Sequence, residues 1–366
     1  MTTTRILTVD RERPDPAAIE EAAQALRDGK LVVFPTETVY GLGAHALDVA
    51  AVQKIFDAKE RPATDPLIVH IAHIGQVSQL AAGMPAGARK LALSFWAGPL
   101  TLILRKKTAV PDLVTAGLPN VALRVPSHRV ARALMEMSGI PIAAPSANRF
   151  SRPSPTTAAH VIEDLEGRVD LILDAGPADI GLESTIIDFS VEPPVLRRPG
   201  GISLEQVQSL VPEVVPQAGE EGPDRPQRAP GQLTRHYAPR ASLTLFEGPP
   251  SRVVTRLAAD ARTAVAQGSR VGILAPEEDL QALAPLIAPS AAAGRIEVQP
   301  YGSRGDIERA GRELFSAIRA IDATGVDLIF ASSIGSDGLA RAIRDRLTRA
   351  AEGRIRTVGS DSCQLS

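Results

Sequence analysis

Short apolar runs that predict β-strands alternate with amphipathic runs that predict α-helices along most of this 366-residue chain. In the first half, a strand pattern at residues 31–34 precedes a helix pattern that Asp48 can cap. Three closely spaced strand patterns end this half, at residues 171–174, 184–189 and 194–197. Four strand patterns separated by helix patterns follow, at residues 242–246, 271–275, 296–301 and 328–331. The alternation predicts an α/β fold throughout, with a mixed sheet first and a smaller doubly wound sheet after it.

A segment rich in proline, glycine, glutamine and glutamate interrupts this alternation between residues 212 and 230. It sustains neither a helical nor a strand period, which is typical of a linker. The chain length also favours two domains over one. We therefore expect a first domain at residues 1–205, a linker at 206–240 and a second domain at 241–366.

Composition and charge argue against several classes of protein. The net charge of −2 lacks the basic excess that a protein bound to a nucleic-acid backbone usually carries. A single cysteine, Cys363, cannot form an internal disulfide framework and favours a reducing compartment. The first residues lack the apolar run of a signal peptide, and no apolar run approaches the length of a membrane span. We expect a cytoplasmic protein.

Three common catalytic devices are missing from the sequence. It has no Gly-x-x-x-x-Gly-Lys-Ser/Thr phosphate loop, no histidine pair with metal-ligand spacing and no Gly-x-Ser-x-Gly nucleophile motif. We therefore expect neither a protein-bound metal nor a covalent intermediate. The chemistry that remains is the placement of reactants and electrostatic stabilisation.

Four short motifs combine polar or cationic groups with tightly turned backbone. They are Phe34-Pro-Thr-Glu-Thr-Val-Tyr-Gly-Leu-Gly43, Lys59-Glu-Arg61 with the strand pattern that follows it, Pro145-Ser-Ala-Asn148 and Glu183-Ser-Thr185. Cations together with short hydroxyl and amide groups are what a polyphosphate and a small zwitterion require. Taken singly, the Lys-x-Arg motif is more typical of a solvated helix end. An arginine inside an apolar strand pattern, such as Arg124, is different, because facing inward it needs an anion.

Together the motifs resemble the signature of the threonylcarbamoyl-AMP synthase family. This resemblance spans residues 16–202, and residues 240–362 resemble the C-terminal domain of the longer members. It implies a YrdC-like twisted mixed sheet with a concave cavity, followed by a smaller Rossmann-like domain. The segment Pro230-Gly-Gln-Leu-Thr-Arg-His-Tyr-Ala-Pro239 resembles the one that joins the two domains in those members.

The resemblance also implies roles for individual residues. The signature pairs, expected to be catalytic, are Lys59, Arg61, Ser146 and Asn148. The positions that match an L-threonine site are Thr38, His70, Arg124, Ala144 and Ser184. The positions that match an ATP site are Arg61, Asp65, Asn120, Ser146, Ser154, Arg198 and Tyr237. Because Tyr237 lies in the linker, we expect that segment to fold over the cavity as a lid.

By this resemblance the protein is a nucleotidyltransferase that makes L-threonylcarbamoyl-AMP and pyrophosphate from L-threonine, bicarbonate and ATP. Mg²⁺ would accompany the ATP. The product would pass to a partner enzyme that modifies tRNA, without stable binding of nucleic acid by this chain.

Two other functions remain open at this point. The first is an RNA-binding module with a YrdC-like fold, against which the balanced charge and the aromatic content of 3% argue. The second is a carbamoyl-transfer enzyme that acts on another small substrate, as in hydrogenase-maturation proteins that contain a similar domain. Those proteins carry zinc fingers, which one cysteine cannot provide.

Overall fold

The computed structural model describes residues 3–219, 226–233, 235–292 and 294–359. The chain divides into two compact units. Unit 1 consists of Met1–Phe150 and Ser154–Leu233, and unit 2 of Ser151–Pro153 and Thr234–Ser366. Cys363 lies outside the described residues.

Unit 1 is an α/β domain built on a mixed sheet. Its described strands are β1 (Arg5–Thr8), β2 (Val32–Phe34), β3 (Gly41–His45), β4 (Ile68–His70), β5 (Leu100–Arg105), β6 (Asn120–Arg124), β7 (Ile142–Ala143), β8 (Leu171–Asp174), β9 (Thr185–Asp188), β10 (Val195–Arg198) and β11 (Val215–Pro216). Its described α-helices are α1 (Pro16–Arg27), α2 (Val49–Lys59), α3 (Val77–Leu80), α4 (Ala86–Phe95), α5 (Arg129–Ser138), α6 (Ala158–Leu165) and α7 (Leu204–Leu210). Two 3₁₀-helices occupy Ile74–Gln76 and Asp112–Thr115.

The strand order in this sheet is β1-β8-β2-β3-β7-β4-β6-β5-β9-β10-β11 among the described strands. The sheet contains both parallel pairs, such as β4 with β6, and antiparallel pairs, such as β5 with β6. The predicted mixed sheet is therefore confirmed.

Local sequence signals explain where the main helices begin. The Asp15 carboxylate accepts a hydrogen bond from the Ala17 amide, and Pro16 takes the first helical position of α1, where its missing N–H costs nothing. Asp48 caps α2 in the same way. The start of α5 follows His128, whose Nδ1 accepts a hydrogen bond from the Val130 amide.

The two faces of the sheet are covered differently. One face packs against α2 and α4 through residues such as Val69, Leu102 and Leu123. On the other face, α1 and α5 cover the part of the sheet that carries Phe34 and Ile142. Because Ile142 pairs with His70, the neighbouring strands β4, β6 and β5 continue this second face. The polar motif residues gather there.

Unit 2 contains a five-stranded parallel sheet among its described residues, in the order β14-β13-β15-β12-β16. Its strands are β12 (Ser242–Glu247), β13 (Val271–Ala275), β14 (Ile296–Pro300), β15 (Leu328–Ser332) and β16 (Ile355–Thr357). Its helices are α8 (Pro250–Ala266), α9 (Glu277–Ala292), α10 (Ile307–Ala323) and α11 (Gly338–Ala350). Helices α8 and α9 pack together, as do α10 and α11. The predicted doubly wound domain is confirmed.

Helix α7 overlaps the start of the segment predicted as a linker. Ser203 and Gln206 form a capping box at the start of α7, and Leu204 and Val207 are buried in the core of unit 1. The linker prediction missed this seven-residue helix because it is short and precedes a proline-rich stretch. In the described residues, no helix is both long and apolar enough to cross a membrane.

Candidate active site

Three polar side chains form a row across the centre of the sheet in unit 1. Thr101 on β5 lies opposite Arg124 on β6, and Arg124 lies opposite His70 on β4. Residues that are opposite one another point to the same face of a sheet. The Thr101 hydroxyl lies 2.7 Å from the Ser184 hydroxyl and so extends the row to the start of β9. Three residues of the predicted threonine site, His70, Arg124 and Ser184, are thus brought together.

Arg124 is paired with a carboxylate from the first motif. Its Nη2 donates to Glu37 Oε1 at 2.7 Å, and both residues are 4% exposed. An isolated buried guanidinium would be very costly, so the pair explains how Arg124 can lie in an apolar sheet. Glu37 is held in turn by its backbone, because its carbonyl accepts a hydrogen bond from the Ile180 amide.

His70 is neutral near physiological pH. Burial, aided by the nearby charge of Arg124, lowers the pKa of His70 to about 3. Its Nδ1 lies 3.3 Å from the Ile68 carbonyl, and its ring packs edge-on against Phe34. A neutral imidazole has one donor and one acceptor nitrogen, so here it orients a ligand and adds no charge.

Thr38 presents an acceptor. The single hydroxyl proton of Thr36 is donated to the Val39 carbonyl at 2.6 Å. The contact of 2.8 Å between the Thr36 and Thr38 hydroxyls then requires Thr38 to be the donor. The lone pairs of Thr38 Oγ1 are left to accept a hydrogen bond, as the ammonium or hydroxyl of an amino acid could provide.

Ala144 lies beside this row through its backbone. Its amide donates to the Ile68 carbonyl, and its side chain is buried.

The signature lysine holds the Ser-x-Asn turn. Lys59 Nζ donates to the Ser146 carbonyl at 2.6 Å and also to the Asn148 carbonyl. The Ser146 hydroxyl donates to Asn148 Oδ1 at 2.5 Å, which fixes both side chains of the motif. Burial and the neighbouring Arg61 charge lower the pKa of Lys59. The two signature pairs therefore form a single unit in space, although the motifs are far apart in sequence.

Arg61, the second cation of the Lys-x-Arg motif, lies next to the buried carboxylate of Asp65. Its Nε and Nη2 donate to the carbonyls of Asp65 and Pro66 at 3.2 and 2.8 Å. Arg61 Nη2 also lies 3.0 Å from Asp65 Oδ2. Burial raises the pKa of Asp65, and Arg61 opposes that rise. Arg61 and Asp65, both predicted as ATP residues, thus form a buried ion pair in the structure.

Arg198 links the two predicted ligand sites. Its Nη2 donates to the hydroxyl of Ser184 at 3.2 Å, while Nε and Nη2 both donate to the Ser184 carbonyl. Since Ser184 contacts Thr101, hydrogen bonds run from the predicted ATP cation to the row that contains Arg124.

The described end of the linker in unit 1, residues 226–233, covers part of this face. The Ala229 methyl packs in a small apolar cluster with Ile68, Ile103, Ala122 and Ile186. The Pro230 carbonyl accepts a hydrogen bond from Arg198 Nη1 at 3.3 Å, and the Gln227 amide donates to the Thr64 carbonyl. This segment is therefore in contact with the predicted ATP residue Arg198 and with Thr64, which precedes Asp65.

The remaining predicted ATP residues lie at three different places. The Ser154 hydroxyl donates to Glu183 Oε1 at 2.5 Å. Asn120 begins β6, four residues before Arg124 and therefore about 13 Å away along the strand. Tyr237 lies in unit 2, where its buried ring contacts Phe315 and the guanidinium of Arg346. The role of each in ATP binding stays a prediction.

Three polar residues of the site, Glu37, Glu183 and Thr101, were not predicted from the sequence. Glu37 and Glu183 lie inside two of the motifs, next to residues that were selected, and their bonds to Arg124 and Ser154 give them a place in the site. Thr101 lies outside every motif, and only the register of β5 against β6 reveals it. Among the described residues, no group of three histidine, cysteine or acidic side chains could hold a metal ion.

Buried cations beside a row of short polar side chains are typical of an enzyme that brings a phosphorylated ligand and a zwitterion together. Comparison with known proteins narrows this class. A family model described as Telomere recombination matches residues 24–200, and one described as Threonylcarbamoyl-AMP synthase, C-terminal domain, matches residues 202–352.

Two curated relatives are similar over nearly their whole length. The threonylcarbamoyl-AMP synthase of Pyrococcus abyssi is 43% identical over 347 residues, which is 94% of this chain and 97% of the relative. That of Bacillus subtilis is 43% identical over 338 residues, covering 92% and 94%. The crystal structure of P. abyssi Sua5 complexed with L-threonine matches with a TM-score of 0.88 over 97% of this chain and 99% of that one. The chain belongs to the threonylcarbamoyl-AMP synthase family, which confirms the resemblance found in the sequence.

Proposed function

We propose that this protein is an L-threonylcarbamoyladenylate synthase that uses L-threonine, bicarbonate and ATP. The observation that carries the proposal is the set of hydrogen bonds from Arg198 through Ser184 to Thr101, beside Arg124. It places a cation suited to phosphate next to a buried arginine suited to a carboxylate. The P. abyssi relative that binds L-threonine has the same fold at 43% identity.

The reaction needs two steps. In the first, the deprotonated amine of threonine attacks the carbon of bicarbonate, and water leaves to give the N-carboxylated amino acid. In the second, an oxygen of the new carboxylate attacks the α-phosphorus of ATP and the bond to the β-phosphate breaks. The products are the mixed anhydride and pyrophosphate, which carries away the negative charge.

The side chains act mainly by placement and electrostatics. Arg124 would hold the threonine carboxylate, with neutral His70, Thr38 and Ser184 shaping the pocket around the rest of the substrate. Arg61, Arg198 and Lys59 would neutralise the charge that develops on the phosphates. The Lys59 ammonium also keeps Ser146 and Asn148 in place.

Mg²⁺ would be held chiefly by phosphate oxygens of the nucleotide. Asp65 supplies a buried carboxylate, the type of oxygen ligand that Mg²⁺ accepts, next to the predicted ATP cations Arg61 and Arg198. When bound, the ion would offset the charge on the leaving pyrophosphate.

The labile product must be used by a second enzyme, a transferase that modifies an adenosine of tRNA. We place both steps in the cytoplasm, where ATP, threonine and tRNA are present together. No stable tRNA complex of this chain is expected, because its net charge is −2.

A coupled assay tests the reaction. Purified protein with L-threonine, bicarbonate, Mg²⁺ and ATP should release pyrophosphate, and omission of either threonine or bicarbonate should abolish the release. Formation of ADP and phosphate in place of pyrophosphate would mean attack at the γ-phosphate and would refute the proposal. An arginine variant outside the site, Arg132→Ala on the exposed face of α5, serves as the control and should keep full activity.

A further inference from the structure

The ion pair between Glu37 and Arg124 is incomplete. One oxygen and one nitrogen, Glu37 Oε1 and Arg124 Nη2, bond to each other at 2.7 Å. Within the part of the chain that the structure describes, Glu37 Oε2 and Arg124 Nε have no hydrogen-bond partner, although both atoms are buried. The two residues are each 4% exposed. A buried charged group with unmet hydrogen bonds is costly, so these two atoms point to a ligand.

Arg124 Nε and Glu37 Oε2 require an acceptor and a donor, respectively, on the same ligand. Arg124 Nε can only donate, and Glu37 Oε2 can only accept while it is ionised. Because the atoms belong to one ion pair, the matching acceptor and donor must be close neighbours in the ligand. An α-amino acid meets this condition, since its carboxylate and its ammonium are attached to the same carbon.

We propose that Glu37 recognises the α-ammonium group of the amino-acid substrate while Arg124 binds its carboxylate. This inference rests on the proposed function and adds a residue that confers specificity on it. Arg124 can present Nε and Nη2 side by side to the substrate carboxylate, while Nη2 keeps its second hydrogen on Glu37. Two carboxylates that share one guanidinium repel each other, and a positive group close to both removes the repulsion.

The other polar groups near Arg124 are less suited than Glu37 to bind an ammonium group. His70, next to Arg124 in the sheet, is neutral and cannot balance an ammonium charge. Thr38 and Ser184 offer hydroxyl groups, which form weaker hydrogen bonds to an ammonium than a carboxylate does. Of the other carboxylates in the motifs, Glu183 accepts a hydrogen bond from the Ser154 hydroxyl, and Glu60 is paired with Arg149.

The test compares L-threonine with 3-hydroxybutyrate, which is threonine without its amino group. Calorimetry on the full chain should show the wild type binding threonine about tenfold or more tighter than 3-hydroxybutyrate, the factor expected for a charge-assisted hydrogen bond. In Glu37→Gln the amide still fills the space beside Arg124 but carries no charge. Threonine affinity should fall by that factor, while the affinity for 3-hydroxybutyrate stays the same or rises.

Other outcomes overturn the inference. If Glu37→Gln lowers the affinity for L-threonine and for 3-hydroxybutyrate equally, Glu37 only holds Arg124 in place. If it lowers neither affinity, Glu37 does not face the ligand. If the wild type binds no threonine, the proposed function itself fails, which is a different result. Unchanged ATP affinity shows that the variant is folded. If Glu37→Gln does not fold, Glu37→Asp should show the same selective loss, because its carboxylate is withdrawn by one methylene.

The matched control is Glu136→Gln, which removes the charge from an exposed glutamate–arginine pair on α5. It should leave both affinities unchanged. A similar selective loss in this control would mean that the effect comes from net charge and would overturn the inference.

Discussion

The substitution Arg61→Ala should weaken ATP binding and also destabilise the folded protein. Arg61 is 7% exposed and lies 3.0 Å from the carboxylate of Asp65, which is fully buried. Loss of one charge-assisted contact to a phosphate should weaken ATP binding by about 1.5–3 kcal/mol, or about 10- to 150-fold. The same substitution leaves the buried Asp65 without its arginine, which should lower the free energy of unfolding by about 3 kcal/mol.

The destabilisation should depend on pH. Burial already raises the pKa of Asp65, and loss of the Arg61 charge raises it further. A carboxyl whose pKa is higher in the folded state than in the unfolded state destabilises the protein as the pH rises above the unfolded value. Relative to the wild type, Arg61→Ala should therefore be less stable at about pH 8 than at about pH 5.

The double variant Arg61→Ala/Asp65→Asn distinguishes the two effects. It removes the unpaired charge, so most of the stability in urea unfolding should return, whereas ATP affinity measured by calorimetry should stay low. Unchanged ATP binding in Arg61→Ala would remove Arg61 from the site. Recovery of ATP affinity in the double variant would show that Arg61 acts only by neutralising Asp65.

Three further predictions concern the pocket and the linker. His70 has a pKa of about 3 in the folded protein and resists protonation, so it should lower wild-type stability by about 1.4 kcal/mol per pH unit as the pH falls from about 6.5 towards 3. His70→Asn lacks this contribution, so its free energy of unfolding, measured in urea, should fall less steeply with pH. The same pH dependence in the variant and the wild type would contradict this. Serine should be a poor but detectable substrate, about 1–3 kcal/mol worse than threonine in kcat/KM, and valine should be rejected more strongly; equal turnover of serine and threonine would show that the pocket does not enclose the methyl group. If the linker acts as a lid, Tyr237→Ala should weaken ATP binding. It should also lower the free energy of unfolding by about 3 kcal/mol, because the ring is buried against Phe315, whereas Tyr237→Phe should keep the stability. Wild-type ATP affinity in both variants would refute the lid.

The helices were predicted well because their ends carry local signals. The Asp15-Pro16 start of α1 and the Asp48 cap of α2 are visible in the sequence, and both helices begin there. Such caps act within a few residues and need no knowledge of the tertiary structure.

Strands β1, β3, β7, β11 and β16 were not predicted, and β3 and β7 show two reasons. Strand β3 reads Gly-Leu-Gly-Ala-His and lacks the β-branched residues typical of strands. Its Gly43 is required by packing, since a Cβ there would lie 2.8 Å from the ring of Phe34 and 2.9 Å from Ile142. Strand β7 has only two residues, too few for any period to be detected.

The candidate site was predicted as a set of residues but not as an arrangement. The motifs identified His70, Arg124 and Ser184, yet only the strand register brings them into one row. Glu37 was missed because its partner is 87 residues away in the sequence. Its place between two threonines gives no local sign of an ion pair.

The most direct test of the account is to follow the carbon of bicarbonate into the product. Wild-type protein is incubated with ATP, Mg²⁺, L-threonine and carbon-13 bicarbonate, and the adenylate is isolated quickly and measured by mass spectrometry. We predict a threonylcarbamoyl-AMP ion that carries one carbon-13 atom and disappears when threonine is omitted. An adenylate without the label, or AMP formed at the same rate without bicarbonate, would contradict the proposed reaction.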